Sequence, residues 1–259
     1  MSRGLQVRGL SRAFGGVLAL QGLDLDVLPG ECVALIGPNG AGKSTCFACL
    51  AGQLLPDAGQ VMWQGQPLLG LDPAQRLARG VTRTFQVAQV FDTLSVQDNL
   101  SLVLGHARLR PWDVLARRRP ARVQALLAAM ALQDDAQRLP SALPYGARKR
   151  LELAMALAGW SEADQPGLLL LDEPAAGLAP HERQQMMQRV RAQAQAGAAV
   201  LYTEHHMDAV FGVADRVVVL VRGQRLFEGT PQAVAAHPEV RAAYLGEQFV
   251  WEEGGHAAR

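Results

Sequence analysis

The chain has 259 residues, 49% of them hydrophobic and 19% charged, a globular mixture that argues against disorder. Its 25 Lys+Arg against 24 Asp+Glu leave a net charge of +1, so no overall field draws it to nucleic acid or anionic lipid. Three cysteines cannot make a disulfide framework, and no apolar run approaches the length a bilayer-spanning helix needs. At about 150 residues per domain, the length fits one large domain or a core with a small lobe. The first residues pass directly into patterned sequence without the apolar core of a signal peptide, so a soluble, cytoplasmic protein is expected.

In chain order, residues 5–7 and 18–27 read as strands, the second ending at the turn Pro29-Gly30. Cys32–Ile36 is a continuous apolar run, the pattern of a strand buried on both faces. A glycine-rich loop and a helix through about Leu50 follow. Residues 94–158 change character and predict a helical lobe, with Val123, Leu126, Leu127 and Met130 at helix spacing. Arg108, Arg110, Arg117, Arg118, Arg119 and Arg122 gather at its start. They read first as a solvated face, with contact to a partner or lipid headgroups as the sharper alternative. Strands at 168–171 and 199–202 flank a helix over 181–196, which places Met186, Met187, Val190 and Ala194 on one face and stops at Gly197. A hairpin over 217–226 turns at Arg222-Gly223, and the tail from Glu252 is expected to fray. Strands alternating with helices imply an α/β fold with a largely parallel sheet covered on both sides.

The strongest chemical signal is Gly37-Pro38-Asn39-Gly40-Ala41-Gly42-Lys43-Ser44, followed by Thr45. It has phosphate-loop spacing and stands between a buried strand and a helix, the context that motif requires. Its glycines let successive N–H groups curl around phosphate oxygens, the helix N-terminus adds positive potential, Lys43 reaches the terminal phosphates, and the Ser44 hydroxyl suits Mg²⁺. Lys43 and Lys149 are the only lysines in the chain. A second signal is the apolar strand ending in Asp172-Glu173. It puts two carboxylates at the same sheet edge, Asp172 suited to organising Mg²⁺ and Glu173 to polarising an attacking water. Cys46 and Cys49 form a C-x-x-C without a nearby histidine, so helix packing is expected there rather than a metal site. His181-Glu182 lacks the second histidine of a zinc-protease motif, and Met186-Met187 reads as core.

Leu143-Pro144-Tyr145-Gly146-Ala147, between the phosphate loop and the acidic strand, completes an order in which the chain resembles the ATPase subunits of ABC transporters over about residues 4–248. The resemblance implies the ABC ATPase fold: a P-loop core with an N-terminal antiparallel β subdomain over 1–93 and 160–248, a helical lobe over 94–159 carrying the signature, and a tail from 249 to 259. It implies that Phe14 stacks on adenine and that Gln86 touches Mg²⁺ or water and couples to the membrane subunit. His205 would stand near the γ-phosphate, and Leu143 to Ala147 would face the ATP of a partner subunit. The implied ligands are ATP and Mg²⁺. At four positions the chain departs from the family's usual residues: Pro144 stands for Ser, Ala147 for Gln, Ala179 for Asp and His206 for Asp. All four lie where two subunits meet in the family's head-to-tail dimer, so this chain's contribution to the partner's site is expected to be the weaker one.

Within the family, Arg83-Thr84-Phe85-Gln86, Pro144-Tyr145-Gly146, residues 174–178 and the ending over 238–246 resemble the branched-chain amino acid importers. That resemblance implies a second, non-identical ATPase, two transmembrane permease subunits, a periplasmic solute-binding protein and a place on the inner face of a bacterial inner membrane, without nucleic acid. The lobe after Leu104 is shorter than usual there, and residues 160–165 lengthen the connection into the acidic strand. The alternatives are a lipopolysaccharide-export ATPase, whose ending residues 240–249 resemble, and a non-transport ABC protein acting on ribosomes or DNA. A P-loop kinase or GTPase would account for Lys43 but not for the signature region or His205.

Overall fold

The computed structural model describes residues 4–84, 90–106, 120–160, 167–246, 249–252 and 256–258. The strands are β1 (Leu5–Phe14), β2 (Val17–Val27), β3 (Cys32–Ile36), β4 (Ala58–Trp63), β5 (Gln66–Pro67), β6 (Val81–Arg83), β7 (Leu168–Asp172), β8 (Ala199–Thr203), β9 (Arg216–Val221), β10 (Gln224–Gly229), β11 (Val250–Glu252) and β12 (His256–Ala258). The helices are α1 (Lys43–Ala51), α2 (Pro73–Ala78), α3 (Val96–His106), α4 (Pro120–Ala129), α5 (Tyr145–Ala158), α6 (Pro180–Gln195), α7 (Met207–Phe211), α8 (Pro231–Ala236) and α9 (Pro238–Val240), the last running on into a π turn over Arg241–Leu245.

The central sheet has the order β10-β9-β3-β8-β7-β6, parallel except for the β9–β10 hairpin. The continuous apolar runs are explained by its two covered faces. Cys32, Ala34 and Ile36 enter one core while Val33 and Leu35 enter the other, and β7 divides the same way into Leu169 and Leu171 against Leu168 and Leu170. The first core packs the sheet on α3 to α8. The second packs it on α1 and on the antiparallel sheet β2-β1-β4-β5. Burying each of these leucines contributes about 1.5–3 kcal/mol, so losing one side chain on either face disturbs the layer that holds the site.

On α6, Met186, Met187, Val190 and Ala194 are buried, and Gly197 follows at φ 101, as the sequence pattern requires. Three features extend the sequence reading. β1 runs to Phe14 rather than ending at Val7, because it pairs along both β2 and β4. Residues 58–83 form β4, β5, α2 and β6, elements either too short or too exposed to show a clear period. The tail does not simply fray: β11 and β12 pair antiparallel, Val250 opposite Ala258, so each satisfies the other's backbone. Pro144 lies one residue before α5, at its N-cap. Of the arginine cluster only Arg122 is described. Residues 161–166 of the lengthened connection also lie outside the described residues, while Trp160 donates its indole N–H to Thr82 Oγ1 at 3.0 Å.

Candidate nucleotide site

Parallel strands with covered faces leave their C-terminal edge open, and β3, β7 and β8 deliver the site's side chains there. After β3, residues 37–42 turn sharply into α1. Gly37 has φ 147, and a Cβ on it would fall 2.0 Å from the Leu220 carbonyl oxygen. Gly42 has φ 104, with the Ala19 carbonyl oxygen 2.3 Å from its Cβ position. Backbone is thus packed where no side chain fits, leaving a loop whose N–H groups can meet an anion directly. Asn39 and Gly40 are exposed at its tip, Pro38 and Thr45 are half-buried, Ala41 is buried, and Ser44 is exposed in the first turn of α1. The buried Lys43 donates to the carbonyls of Gly37 at 2.6 Å and Pro38 at 3.0 Å. Burial lowers its pKa, and the charges of Glu173 and Asp172 oppose that shift.

At the end of β7, Asp172 is engaged on both oxygens. Arg83 donates to Oδ2 at 2.9 Å and the Thr203 hydroxyl donates to Oδ1 at 2.8 Å. Glu173 follows at φ 49, a left-handed conformation uncommon for a residue with a side chain. Its N–H donates to the carbonyl and hydroxyl of Thr203 at 3.2 and 3.1 Å. Its Oε1 stands 2.7 Å from His205 Nε2. The structure therefore brings together Lys43, Asp172, Glu173 and His205, residues drawn from three strand ends.

The other expected residues stand elsewhere. Phe14, 47% exposed at the end of β1, carries the Arg12 guanidinium 5.0 Å above its ring. Leu143 and Ala147 are buried, Tyr145 is exposed, and Gly146 packs toward Glu182 and Leu178. The signature thus leans on the chain after Glu173 and on α6. The Pro144 carbonyl accepts the N–H groups of Ala147 and Arg148, while no side chain caps α5. Gln86 lies outside the described residues. Arg83 and Thr203 were not singled out as site residues by sequence. The available signals were a cation ending a buried strand and a hydroxyl ending an apolar one. Tyr244 also went unread: burial raises its pKa, and an N–H from Gly37 pulls the other way. Cys32, Cys46 and Cys49 are free and buried, and no cluster of three metal-ligating side chains occurs among the described residues.

Between the end of β6 and the helical elements lies a groove of about 460 Å³, lined by Thr84, Val90, Phe91, Val103 and Met155 among others. No helix among the described residues is long and apolar enough to cross a membrane.

A glycine cradle closed by a buried lysine, facing a strand-borne acidic pair, defines a phosphate-loop ATPase. The chain belongs to the ABC transporter family, whose model matches residues 20–176, and residues 224–250 match the branched-chain amino acid ATP-binding cassette transporter model. It is a nucleotide-binding ATP hydrolase of that family. It is 40% identical to the high-affinity branched-chain amino acid transport ATP-binding protein LivG of Escherichia coli, over 94% of this chain and 98% of that one. BraF of Pseudomonas aeruginosa, named for the same transport, is 38% identical over 94% and 98%. The lipopolysaccharide export system ATP-binding protein LptB of Acidithiobacillus ferridurans is 33% identical over 96% and 99%. Among solved structures, the ADP conformation of an ATP-binding cassette of an ABC transporter superposes with a TM-score of 0.81 at 28% identity, covering 95% of this chain and 100% of that one.

Proposed function

We propose that this chain powers a bacterial importer of branched-chain or other hydrophobic amino acids, or of related amides, from the cytoplasmic face of the inner membrane. The observation that carries the reading is the joint match: a family-wide nucleotide core together with a C-terminal segment, residues 224–250, of the branched-chain amino acid type. The 40% identity to LivG against 33% to LptB favours import over lipopolysaccharide export.

In this reading the N–H groups of Asn39, Gly40 and Gly42 and the Lys43 ammonium hold the β- and γ-phosphates, and Phe14 receives the adenine ring. Ser44, Asp172 and Gln86 hold Mg²⁺, with Arg83 and Thr203 fixing how Asp172 presents its oxygens. Bound Mg²⁺ would offset the charge on the phosphate oxygens. Glu173 takes the proton of the attacking water at Oε2 while its Oε1 stays on His205 Nε2, which keeps the imidazole beside the γ-phosphate. The N-terminus of α5 at Tyr145 and Gly146 faces the nucleotide of a second ATPase subunit. Pro144, which has no N–H or hydroxyl, gives it nothing more. The groove beside Phe91 is the surface we assign to the two permease subunits, which in turn receive solute from a periplasmic binding protein.

Purification of the assembled complex from native membranes tests this. Two amino-acid-type permeases and a second ATPase should accompany the chain, and ATP-driven uptake of hydrophobic amino acids should follow on reconstitution. Glu173→Gln should lower the hydrolysis rate by at least about a hundredfold while leaving ATP affinity within about threefold. Export-type membrane proteins with copies of this chain alone, or ribosomal or DNA partners, would overturn the import reading. Unchanged turnover in Glu173→Gln would overturn the catalytic assignment.

A further inference from the structure

Glu173 and His205 stand on loops that leave neighbouring strands, and their 2.7 Å contact depends on how those loops are held. One end of the link has been described: Glu173 donates its N–H to Thr203, at the last position of β8. Beneath the pair lies another acidic side chain with no part in the chemistry above. Glu204, between Thr203 and His205, is 1% exposed. Its Oε1 accepts the backbone N–H of Ala175 at 2.8 Å, and its Oε2 faces the backbone N–H of His205 at 3.3 Å and His206 Nδ1 at 3.9 Å.

A buried carboxylate is a costly choice for a core position, since an apolar side chain would fill the space without losing hydration. Burial pushes its pKa up, and the N–H groups of Ala175 and His205 work against that shift. What an apolar residue could not do is accept the Ala175 N–H. That bond matters because Glu173, two residues earlier, has left-handed backbone, a conformation that persists only where its surroundings hold it. Thr203 holds the segment at Glu173, and Glu204 holds it at Ala175.

We propose, building on the catalytic roles assigned to Glu173 and His205, that Glu204 is a positioning residue: its carboxylate clamps the 173–175 turn to the His205 backbone and so sets the Glu173–His205 distance. It touches neither nucleotide nor attacking water. Its removal should therefore slow turnover without loosening ATP.

The test uses the complex purified from native membranes and measures kcat, KM for ATP and thermal stability for the wild type, Glu204→Leu and Glu204→Gln. The leucine variant should lose about tenfold to a hundredfold in kcat, the scale of a misplacement near 1 Å, with KM within about twofold. Glutamine keeps one oxygen for the Ala175 N–H but turns an NH₂ toward His205, so it should recover part of the loss. In a Glu173→Gln background, Glu204→Leu should add no further loss, because the two act as a unit. Wild-type kcat in Glu204→Leu would overturn the proposal, as would additive losses in the double variant. Glutamine no better than leucine would also overturn it. If Glu204→Leu fails to assemble, the glutamine variant decides: wild-type kcat or a raised KM with unchanged kcat sinks the clamp. A wild-type complex indistinguishable from Glu173→Gln would instead remove the catalytic roles on which the clamp rests, whatever Glu204 does.

Discussion

Asp215 accepts the N–H of Cys32 at 2.8 Å and pairs with the Arg191 guanidinium, joining the start of β3 to α6 just before β9 begins. Burial resists its ionisation, but Arg191 and the Cys32 N–H outweigh that and hold its pKa below the ordinary 3.8. The folded state then binds this proton more weakly than the unfolded state. The stabilisation is complete above pH 3.8 and is lost as pH falls through the lower folded-state value. Asp215→Asn should therefore cost about 1 kcal/mol at pH 7, a figure already discounted for partial exposure, and the gap to wild type should narrow toward pH 3. Urea unfolding at both pH values measures it. Asp215, Arg83 and Thr203 share a reason for escaping a sequence reading. Arg83 meets Asp172 across 89 positions and Thr203 meets it across 31, so their partners exist only once the strands are neighbours. Lys43 and Asp172-Glu173 were legible because their spacing and flanking apolar runs carry the chemistry locally.

Between β3 and α1, the loop's shape comes from close backbone packing rather than from hydrogen bonds of its side chains. At Gly42 the φ of 104 and the Ala19 carbonyl leave no room for a methyl group. Gly42→Ala should weaken ATP binding by at least about fivefold, as strain of about 1–3 kcal/mol at one residue implies, and calorimetric titration with ATP would show it. Elements with long apolar faces, such as β3, β7, β8 and α6, could be read from the sequence, since burial on one or two faces writes a period into it. Only three of the six residues of β4 are even partly buried, and α2 spans six residues whose definition comes from the Asp72–Gln75 capping box. β4, though longer than β3, is exposed over its first half and has no continuous apolar run, and α2 makes fewer than two turns. The π turn after α9, which places Tyr244 near Gly37, is set by packing against the finished core and leaves no local trace.

Two cores on opposite sides of one sheet give the molecule a rigid centre, and the groove runs along its margin beside the helical lobe. Phe91 is 48% exposed in that groove, a large apolar ring left in water by the chain alone. Phe91→Asp should leave ATP affinity unchanged, since it touches no phosphate-binding residue, yet permease subunits should no longer co-purify with the chain. Recovery of permease at wild-type stoichiometry would show that the membrane partner sits elsewhere. The groove wall also contains Arg76, a buried residue of α2 whose guanidinium donates to the Cys49 carbonyl at 3.1 Å and to that of Leu50, the last turn of α1. The helix that begins with Lys43 thus has its far end seated on the groove. At nine residues it is a strut about 13 Å long, with one tip at the glycine-rich loop and the other against the wall where a membrane partner would press. Force applied at the wall has a straight, stiff path to the lysine, and a guanidinium is its footing.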